Sequence, residues 1–220
     1  MATRFYLSST ATTPVTPAFS AWTRTSDGDR RKMSTTKDSS TMTNKNVWTN
    51  TSQTALDTGL CRQYVSDTLD SGIAFSTSDT ISCQVRTVQL VTPLQLIPIN
   101  QAVIGVKVYS QDGATLRATL LAISALEATH NWAGDIPQPN LENNSFAVAR
   151  ALTANYTTVA GDRLVIELGG QIRNASPIDN VQGTLSFGAD NGSDLPADLT
   201  DQAAKNPWFE ISRAVTFTTI

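Results

Sequence analysis

The sequence predicts an all-β protein, an antiparallel β-sandwich preceded by an extended N-terminal arm. Three observations lead to this prediction. From residue 60 onward, apolar and polar side chains alternate with a period close to two. Thr is used heavily, which suits half-buried strands better than helices. Composition also changes near residue 60: 23 of the first sixty residues are Ser or Thr and five are Ile, Leu or Val, against 21 Ile, Leu or Val between 61 and 130.

Residues 1–59 are predicted to form an extended arm rather than a domain. They cannot bury enough apolar surface to offset the entropy of ordering them alone. A wholly disordered tail would carry fewer aromatic residues than this segment does, namely Phe5, Tyr6, Phe19, Trp22 and Trp48. We expect these five residues to anchor the arm in pockets of a partner, while its backbone pairs with sheet edges.

Residues 60–220 are predicted to form the β-sandwich domain. Gln111-Asp112-Gly113 separates two β-rich segments and is a strong hairpin signal. Eight strands with uneven loops fit two antiparallel sheets packed face to face, and we expect a jelly roll. The candidate strands are 60–65, 81–90, 102–109, 115–123, 146–152, 163–168, 183–187 and 208–217.

The charge distribution argues against a nucleic-acid partner. The net charge is −3; residues 1–60 carry seven Lys or Arg against four Asp or Glu, and the remainder carries nine against fifteen. A weakly basic arm beside an acidic body favours docking on an acidic neighbour, including another copy of the chain. No apolar run approaches the roughly 18 residues of a membrane span, and the N-terminus lacks the apolar run of a secretory signal. We therefore expect no membrane partner.

No catalytic motif is present, and we expect neither enzymatic activity nor a cofactor. Any Ser-His-Asp relay would have to use His130, the one histidine, and no Gly-x-Ser-x-Gly elbow accompanies it. A glycosidase needs only two carboxylates, but the sequence pairs no two of its glutamates. Cys61 and Cys83 are expected to be free, buried thiols.

Two weaker signals concern ligands. Asp190, Asp194 and Asp198 concentrate the hard oxygen atoms that calcium prefers, but they lack the spacing of an EF-hand loop. A solvated Asx-rich turn is the preferred interpretation, so no metal site is predicted and these residues remain a weak calcium candidate. Trp132 and Trp208 lie in loop-like sequence and are candidate contacts for a glycan, although Pro207-Trp208 is also typical of a packing anchor.

Several segments resemble a group of virion structural proteins from tailed bacteriophages. The resemblance covers both ends and the middle of the chain, and its motifs concern the scaffold rather than chemistry. The residues that carry it are 2–10 (ATRFYLSST), 14–19 (PVTPAF), Trp22, 159–167 (VAGDRLVIE), 186–190 (SFGAD), 193–196 (SDLP) and 206–210 (NPWFE).

This resemblance implies a capsid decoration or cement protein that binds the outer shell of the virion through its arm. The implied partners are the major capsid protein and copies of the chain itself, as a homotrimer, after synthesis in the host cytoplasm. The alternative is a tail, neck or fibre module that recognises host surface glycans through its loops. A hydrolase of surface polysaccharide is a third possibility, which would need a carboxylate pair that the sequence does not show.

Overall fold

A computed structural model of the chain describes residues 1–9, 12–19, 21–25, 28–37, 43–50, 57–92, 99–125, 140–145, 149–173, 180–188, 193–195 and 205–218. These residues contain no helix long and apolar enough to cross a membrane. Their strands are β1 (Thr3–Tyr6), β2 (Asp29–Lys32), β3 (Thr43–Asn50), β4 (Asp57–Thr68), β5 (Ala74–Phe75), β6 (Thr80–Thr92), β7 (Ile99–Tyr109), β8 (Leu116–Ala125), β9 (Asn140–Ser145), β10 (Arg150–Ala151), β11 (Tyr156–Thr157), β12 (Arg163–Arg173), β13 (Asn180–Phe187) and β14 (Trp208–Ile211).

The strands form two large sheets and one small sheet. Sheet A has seven strands in the order β1-β14-β6-β13-β3, with β9 and β10 also paired to β6. Sheet B has five strands in the order β2-β4-β12-β7-β8, and β5 pairs separately with β11. Among these fourteen strands, all pairs are antiparallel except β2 with β4.

Sheet A is four strands wide, because several of its strands lie end to end. At Gln84, β6 pairs with β14 on one side and with β9 on the other. At Arg86, β6 pairs with β13 on one side and again with β9 on the other. β13 and β14 therefore share one edge of β6, and β3 and β1 continue the next row beside them.

The long strands alternate between the two sheets along the chain. β3, β6, β9 and β13 lie in sheet A, whereas β4, β7, β8 and β12 lie in sheet B. Along the rows the order is β9-β6-β13-β3 in sheet A and β8-β7-β12-β4 in sheet B. Of these eight strands, only β7 and β8 are neighbours both in sequence and in a sheet, so the fold depends on long-range pairing.

The core lies between the two sheets. The ring of Tyr64 in sheet B lies 5.7 Å, centroid to centroid, from the ring of Phe187 in sheet A. Buried aliphatic side chains from both sheets fill the space around them, among them Ile81, Val85, Ile104, Val106, Val108, Leu120, Leu164, Ile166, Leu168, Leu185 and Ile211. This packing confirms the antiparallel β-sandwich that the sequence predicts.

Sheet B is buried on its outer face as well. Leu164 and Ile166 of β12 face the core, and the intervening Val165 points to the opposite side, yet all three are fully buried. Residues 15–19 and 21–24, which we call the strap, cover that opposite side. Val15 of the strap packs against Val165, and the strap also buries Trp22 against sheet B.

The hairpin predicted at residues 111–113 is confirmed. β7 and β8 pair in antiparallel fashion on either side of it. Gly113 adopts a φ of 75°, in the left-handed region that favours glycine, and its N–H donates to the carbonyl oxygen of Ser110 at 2.8 Å. The hydroxyl of Ser110 donates to Oδ1 of Asp112 at 2.6 Å, which fixes the turn further.

Two predicted strands differ from the structure. Residues 146–152 were expected to form one strand, but the described strands there are β9, which ends at Ser145, and β10. β9 has the sequence NLENNS, whose single apolar residue leaves no alternating pattern to detect. The strand expected at 208–217 ends at Ile211, where Ser212 and Arg213 form a bend.

The N-terminal segment differs from the predicted arm. Its described residues form β1, β2 and β3, which pair with β14, β4 and β13 of the same chain. The segment has too few aliphatic residues to fold alone, but the edges of two sheets supply hydrogen-bond partners and apolar surface. The change at residue 59 therefore marks a change in composition, and strands from both sides of it share the sheets.

Phe5 tests whether β1 belongs to the folded core. It is 1% exposed, and its ring centroid lies 6.3 Å from that of Phe209 and 6.1 Å from that of Phe217. We expect Phe5→Ala to lower the free energy of unfolding by about 3–5 kcal/mol, measured by urea denaturation. Val159→Ala, at a residue 58% exposed, is the control and should cost less than about 0.5 kcal/mol. Equal, small effects of both changes would mean that β1 is not packed on the core.

Candidate functional site

The structure places four of the five predicted anchor residues on this chain's own sheets. Phe5 lies in the core, Tyr6 is buried beside it, and Trp22 is buried on the outer face of sheet B. Phe19 is half-buried next to Trp22. Trp48 belongs to β3, and its side chain lies outside the described part of the structure.

Trp22 binds a buried ion pair on the outer face of sheet B. Glu167 of β12 and Lys107 of β7 are 0% and 2% exposed, and Lys107 Nζ lies 2.6 Å from Glu167 Oε2. Trp22 Nε1 donates to the same oxygen at 2.8 Å, and Gln63 Nε2 donates to Oε1 at 2.9 Å. Glu167 therefore accepts three hydrogen bonds, as a buried carboxylate requires.

Arg30 closes this network on the side of the strap. Its Nε donates to Gln63 Oε1 at 3.1 Å, and one terminal nitrogen donates to the carbonyl oxygen of Pro17 at 2.9 Å. The guanidinium also lies 3.8 Å above the ring centroid of Phe19. Burial lowers the pKa of Arg30, and the nearby charge of Glu167 opposes that effect.

This network holds the strap in place and is not an accessible reaction centre. Glu167 is fully buried and Gln63 is 0% exposed, so neither carboxylate nor amide reaches solvent. The sequence analysis did not identify the network. The sequence feature that could have revealed it is a charged residue in the middle of each of two apolar strands, Lys107 in β7 and Glu167 in β12.

Three residues predicted for different roles meet on the outer face of sheet A. Tyr6 and Trp208 lie directly opposite each other in the β1–β14 pair. Arg4 lies 4.1 Å above the ring centroid of Trp208, and its Nη1 is 2.6 Å from Asp194 Oδ2. Trp208 Nε1 donates to the carbonyl oxygen of Leu195 at 2.9 Å.

Two further charges complete this group. Arg4 Nη2 lies 2.9 Å from Glu210 Oε2, and Lys37 Nζ lies 2.9 Å from Asp194 Oδ1. The four charged side chains are 31–41% exposed, so they lie at the surface. The group joins both ends of the chain, and we call it the terminal cluster: Arg4, Lys37, Asp194, Trp208 and Glu210.

The terminal cluster bears on the two ligand predictions. Arg4 covers one face of the Trp208 indole, and the carbonyl oxygen of Leu195 accepts the hydrogen bond of the indole N–H. This ring therefore resembles a packing anchor more than an open platform for sugars. Two cations already neutralise Asp194, which disfavours calcium there. The described residues contain no group of three or more His, Cys, Asp or Glu that could hold a metal ion. Outside those residues lie Trp132, Asp190, Asp198 and His130.

An open groove of about 360 Å³ lies where the turn between β7 and β8 meets the turn before β12. Asp162 stands in it and is 2% exposed. Its Oδ2 accepts hydrogen bonds from the Tyr156 hydroxyl at 2.6 Å and from the Val159 N–H at 2.9 Å. Burial, reinforced by the hydrogen bond to Asp162, raises the pKa of Tyr156 to about 12. The lining residues are Ser110, Gln111, Asp112, Arg117, Val159, Ala160 and Asp162.

Cys61 and Cys83 are buried and form no disulfide, as the sequence predicts. Cys61 belongs to β4 in sheet B, whereas Cys83 belongs to β6 in sheet A. Burial raises the pKa of the Cys83 thiol, which keeps it protonated and a poor nucleophile near neutral pH. Both cysteines therefore serve as small apolar core residues.

No protein-family model matches the chain, and neither does any curated protein. Among solved structures, a weak similarity is found to the crystal structure of a CocE/NonD family hydrolase from Staphylococcus aureus, with 11% identity and a TM-score of 0.23. The alignment covers 96% of this chain and 34% of the hydrolase, so the chain spans about a third of that protein's length. A similarity this weak carries no argument about fold or function.

Gly169 tests how the strap is held. A Cβ at this position of β12 would overlap the carbonyl oxygen of Gly59 and the ring of Trp22. We expect Gly169→Ala to displace the indole, to change tryptophan fluorescence and to lower the free energy of unfolding by about 3 kcal/mol. Gly105→Ala on β7 is the control, because its Cβ would meet Ile123 Cγ1 at an ordinary 3.5 Å. If the free energies of unfolding of both variants lie within about 1 kcal/mol of the wild-type value, the strap does not pack on β12.

Asp194 gives the terminal cluster a dependence on pH. Burial alone raises the pKa of Asp194, but hydrogen bonds from Lys37 and Arg4 outweigh that effect and hold its pKa below the ordinary value of 3.8. The ionised carboxylate therefore stabilises the folded protein at pH values above its ordinary pKa. This stabilisation is lost as the pH falls through the lower pKa that Asp194 has in the folded protein. Below about pH 4 we expect the free energy of unfolding of Asp194→Asn to fall less steeply with decreasing pH than that of the wild type, as measured by urea titrations. Coincident pH profiles of variant and wild type would contradict the pairing.

Proposed function

We propose that this protein is a structural component of a tailed-bacteriophage virion that decorates the outer capsid. The observation that supports the proposal is that the segments which carry the sequence resemblance contact one another in the folded protein. Residues 2–10 contain β1, residues 206–210 contain most of β14, and these two strands pair. Residues 193–196 supply Asp194, which binds Arg4 of β1.

The internal motif belongs to the same scaffold. Residues 159–167 supply Asp162 in the turn before β12 and Glu167 within it. Glu167 in turn binds Trp22, another residue of the resemblance. The shared motifs therefore maintain one sandwich and its N-terminal covering, which favours a common structural role over a common chemistry.

The proposal includes a jelly-roll body. A jelly roll consists of eight strands in two sheets, connected as two Greek keys. The rows β9-β6-β13-β3 and β8-β7-β12-β4 contain eight long strands, and successive strands mostly change sheet. This order supports a jelly roll over a simple up-and-down arrangement, in which sequential strands would be neighbours.

We assign the contact with the shell to the terminal cluster. Trp and Arg are enriched among the residues that dominate interface energies, and Trp208 and Arg4 lie together at the surface. The N-terminal segment contributes Arg4 and Lys37 to this surface, whereas its described aromatic anchors are packed within the chain. On this proposal the segment acts through its exposed charges rather than through inserted aromatic rings.

Binding to the shell acts through mass action. A ligand that binds only the expanded shell stabilises it by RT ln(1 + [L]/Kd), so many decorated sites together resist internal pressure. The partners are the major capsid protein and two further copies of the chain in a homotrimer, a state that suits a local three-fold axis.

Charge reversal at Lys37 tests this surface. We expect Lys37→Glu to weaken binding to purified expanded capsids that lack the protein by about tenfold or more, because it places a like charge beside Asp194 within the interface. Lys32→Glu is the matched control, since Lys32 is a similarly exposed lysine paired with Asp67 at 2.8 Å. The affinity of Lys32→Glu for expanded capsids should stay within about twofold of the wild-type affinity. Co-sedimentation with capsids measures both.

Copy number in purified virions separates the alternatives. Quantitative mass spectrometry should find on the order of a hundred copies or more if the protein occupies lattice sites of the shell. Absence of capsid binding by the wild type, with on the order of a dozen copies per virion, would overturn the decoration proposal and place the protein on the tail, neck or fibres.

The second candidate function is a tail, neck or fibre module that recognises host surface glycans. The observation that favours it is the open groove beside Asp162, which is lined mainly by polar side chains. Trp208, the described residue first considered for glycan contact, is partly covered by Arg4. A glycan site on this protein would therefore be the groove.

A further inference from the structure

We propose that the groove beside Asp162 binds a carbohydrate, through a sugar hydroxyl that bridges the Asp162 carboxylate and the Arg117 guanidinium. This inference rests on the second candidate function, glycan recognition, and does not depend on capsid decoration. It names the ligand class and the residues of the site.

Asp162 presents a carboxylate to the groove, and one of its oxygens has capacity to accept a further hydrogen bond. One oxygen, Oδ2, is held by the Tyr156 hydroxyl and the Val159 N–H. The other, Oδ1, accepts no hydrogen bond from any residue that the structure describes, and Arg117 Nε lies 3.7 Å away, beyond hydrogen-bond distance. Because Oδ2 holds the carboxylate in place and Asp162 lines the groove, Oδ1 is an acceptor that a bound hydroxyl can reach.

The pair formed by Arg117 and Asp162 determines which ligand chemistry fits the groove. A guanidinium can only donate hydrogen bonds, and a carboxylate can only accept them. A hydroxyl does both, so one hydroxyl beside this ion pair can donate to Asp162 while it accepts from Arg117. A cationic ligand would bring a second positive charge beside Arg117, and an anionic ligand would face both Asp112 and Asp162. A neutral polyhydroxylated molecule meets neither penalty.

The remaining walls suit a sugar ring. Val159, 58% exposed, and Ala160 form an apolar wall for the C–H face of the ring. Gln111 offers both donors and acceptors at the rim, and the Asp112 carboxylate is held by the Ser110 hydroxyl at 2.6 Å. The volume of about 360 Å³ lies at the small end of the range for ligand pockets, about 300–1,000 Å³.

The two sides of the groove are tied together before any ligand binds. Arg163 Nε donates to the carbonyl oxygen of Gln111 at 2.8 Å, which joins the start of β12 to the turn after β7. Gly161 adopts a φ of 91° in the turn and donates its N–H to the carbonyl oxygen of Leu69 at 3.0 Å. Asp162 is held in the same way, because its carbonyl oxygen accepts from the Leu69 N–H at 2.7 Å. A preorganised site loses less entropy on binding, which makes weak sugar binding measurable.

The test is a titration of the full-length protein with free glucose, galactose, mannose, N-acetylglucosamine and N-acetylgalactosamine, followed by NMR. We expect at least one sugar to bind with a Kd on the order of 1 mM and to shift the Arg117 Nε–H resonance and the amides of 110–114 and 159–162. Arg117→Gln should weaken that binding by about tenfold or more, because it replaces a charge-assisted hydrogen bond. Arg213→Gln, which removes an arginine paired with Asp79 elsewhere, should leave it within about twofold.

Four outcomes would overturn the proposal. The first is that none of the sugars binds at concentrations up to about 100 mM, and the second is that Arg117→Gln binds as tightly as the wild type. The third is that glycerol binds as tightly as the sugars. The fourth is that only methylguanidinium binds, which would indicate a cationic peptide partner. Arg117 lies outside the terminal cluster, so capsid binding measured on the same variants distinguishes failure of this site from failure of the decoration proposal. Sugar binding without capsid binding would leave glycan recognition as the function.

Discussion

The buried carboxylate of Glu167 is the interaction on which the outer face of sheet B depends. A charge without water must be paired and fully hydrogen-bonded, and Lys107, Trp22 and Gln63 together meet that requirement. Removing one partner of such a pair costs about 3–5 kcal/mol, because the other charge is left buried alone. The network therefore fixes one position of the strap on the sheet, whereas apolar contacts alone would tolerate a shifted one.

The same logic explains how a Ser/Thr-rich segment becomes ordered. β1 and β3 extend a row of sheet A, so their backbone groups find partners on strands that already exist. A few side chains then suffice to hold the segment, and Arg62, which is 1% exposed and bound to Asp29 at 2.8 Å, ties β2 to β4. The N-terminal segment thus belongs to the folding unit formed with residues 60–220.

Two places on the described surface group side chains that could bind a partner or ligand. The terminal cluster presents Trp208 and four charges on the outer face of sheet A, and the groove at the end of sheet B presents Asp162 and Arg117. The first has the residue types of a protein interface, and the second has the donors and acceptors of a sugar site. A virion protein that binds the shell with one surface and a glycan with the other is compatible with both proposals.

The sequence by itself determined the all-β class, the hairpin at Gly113 and most strands of the body, because alternation and turn residues are local signals. Only the tertiary structure decided that Phe5 packs on Phe209, that Trp22 meets Glu167 and that Arg4 meets Asp194, residues separated by well over a hundred positions. These contacts depend on which sheet edges and faces the folded body offers. That information resides in long-range strand pairing, and no local pattern in a Ser/Thr-rich segment contains it.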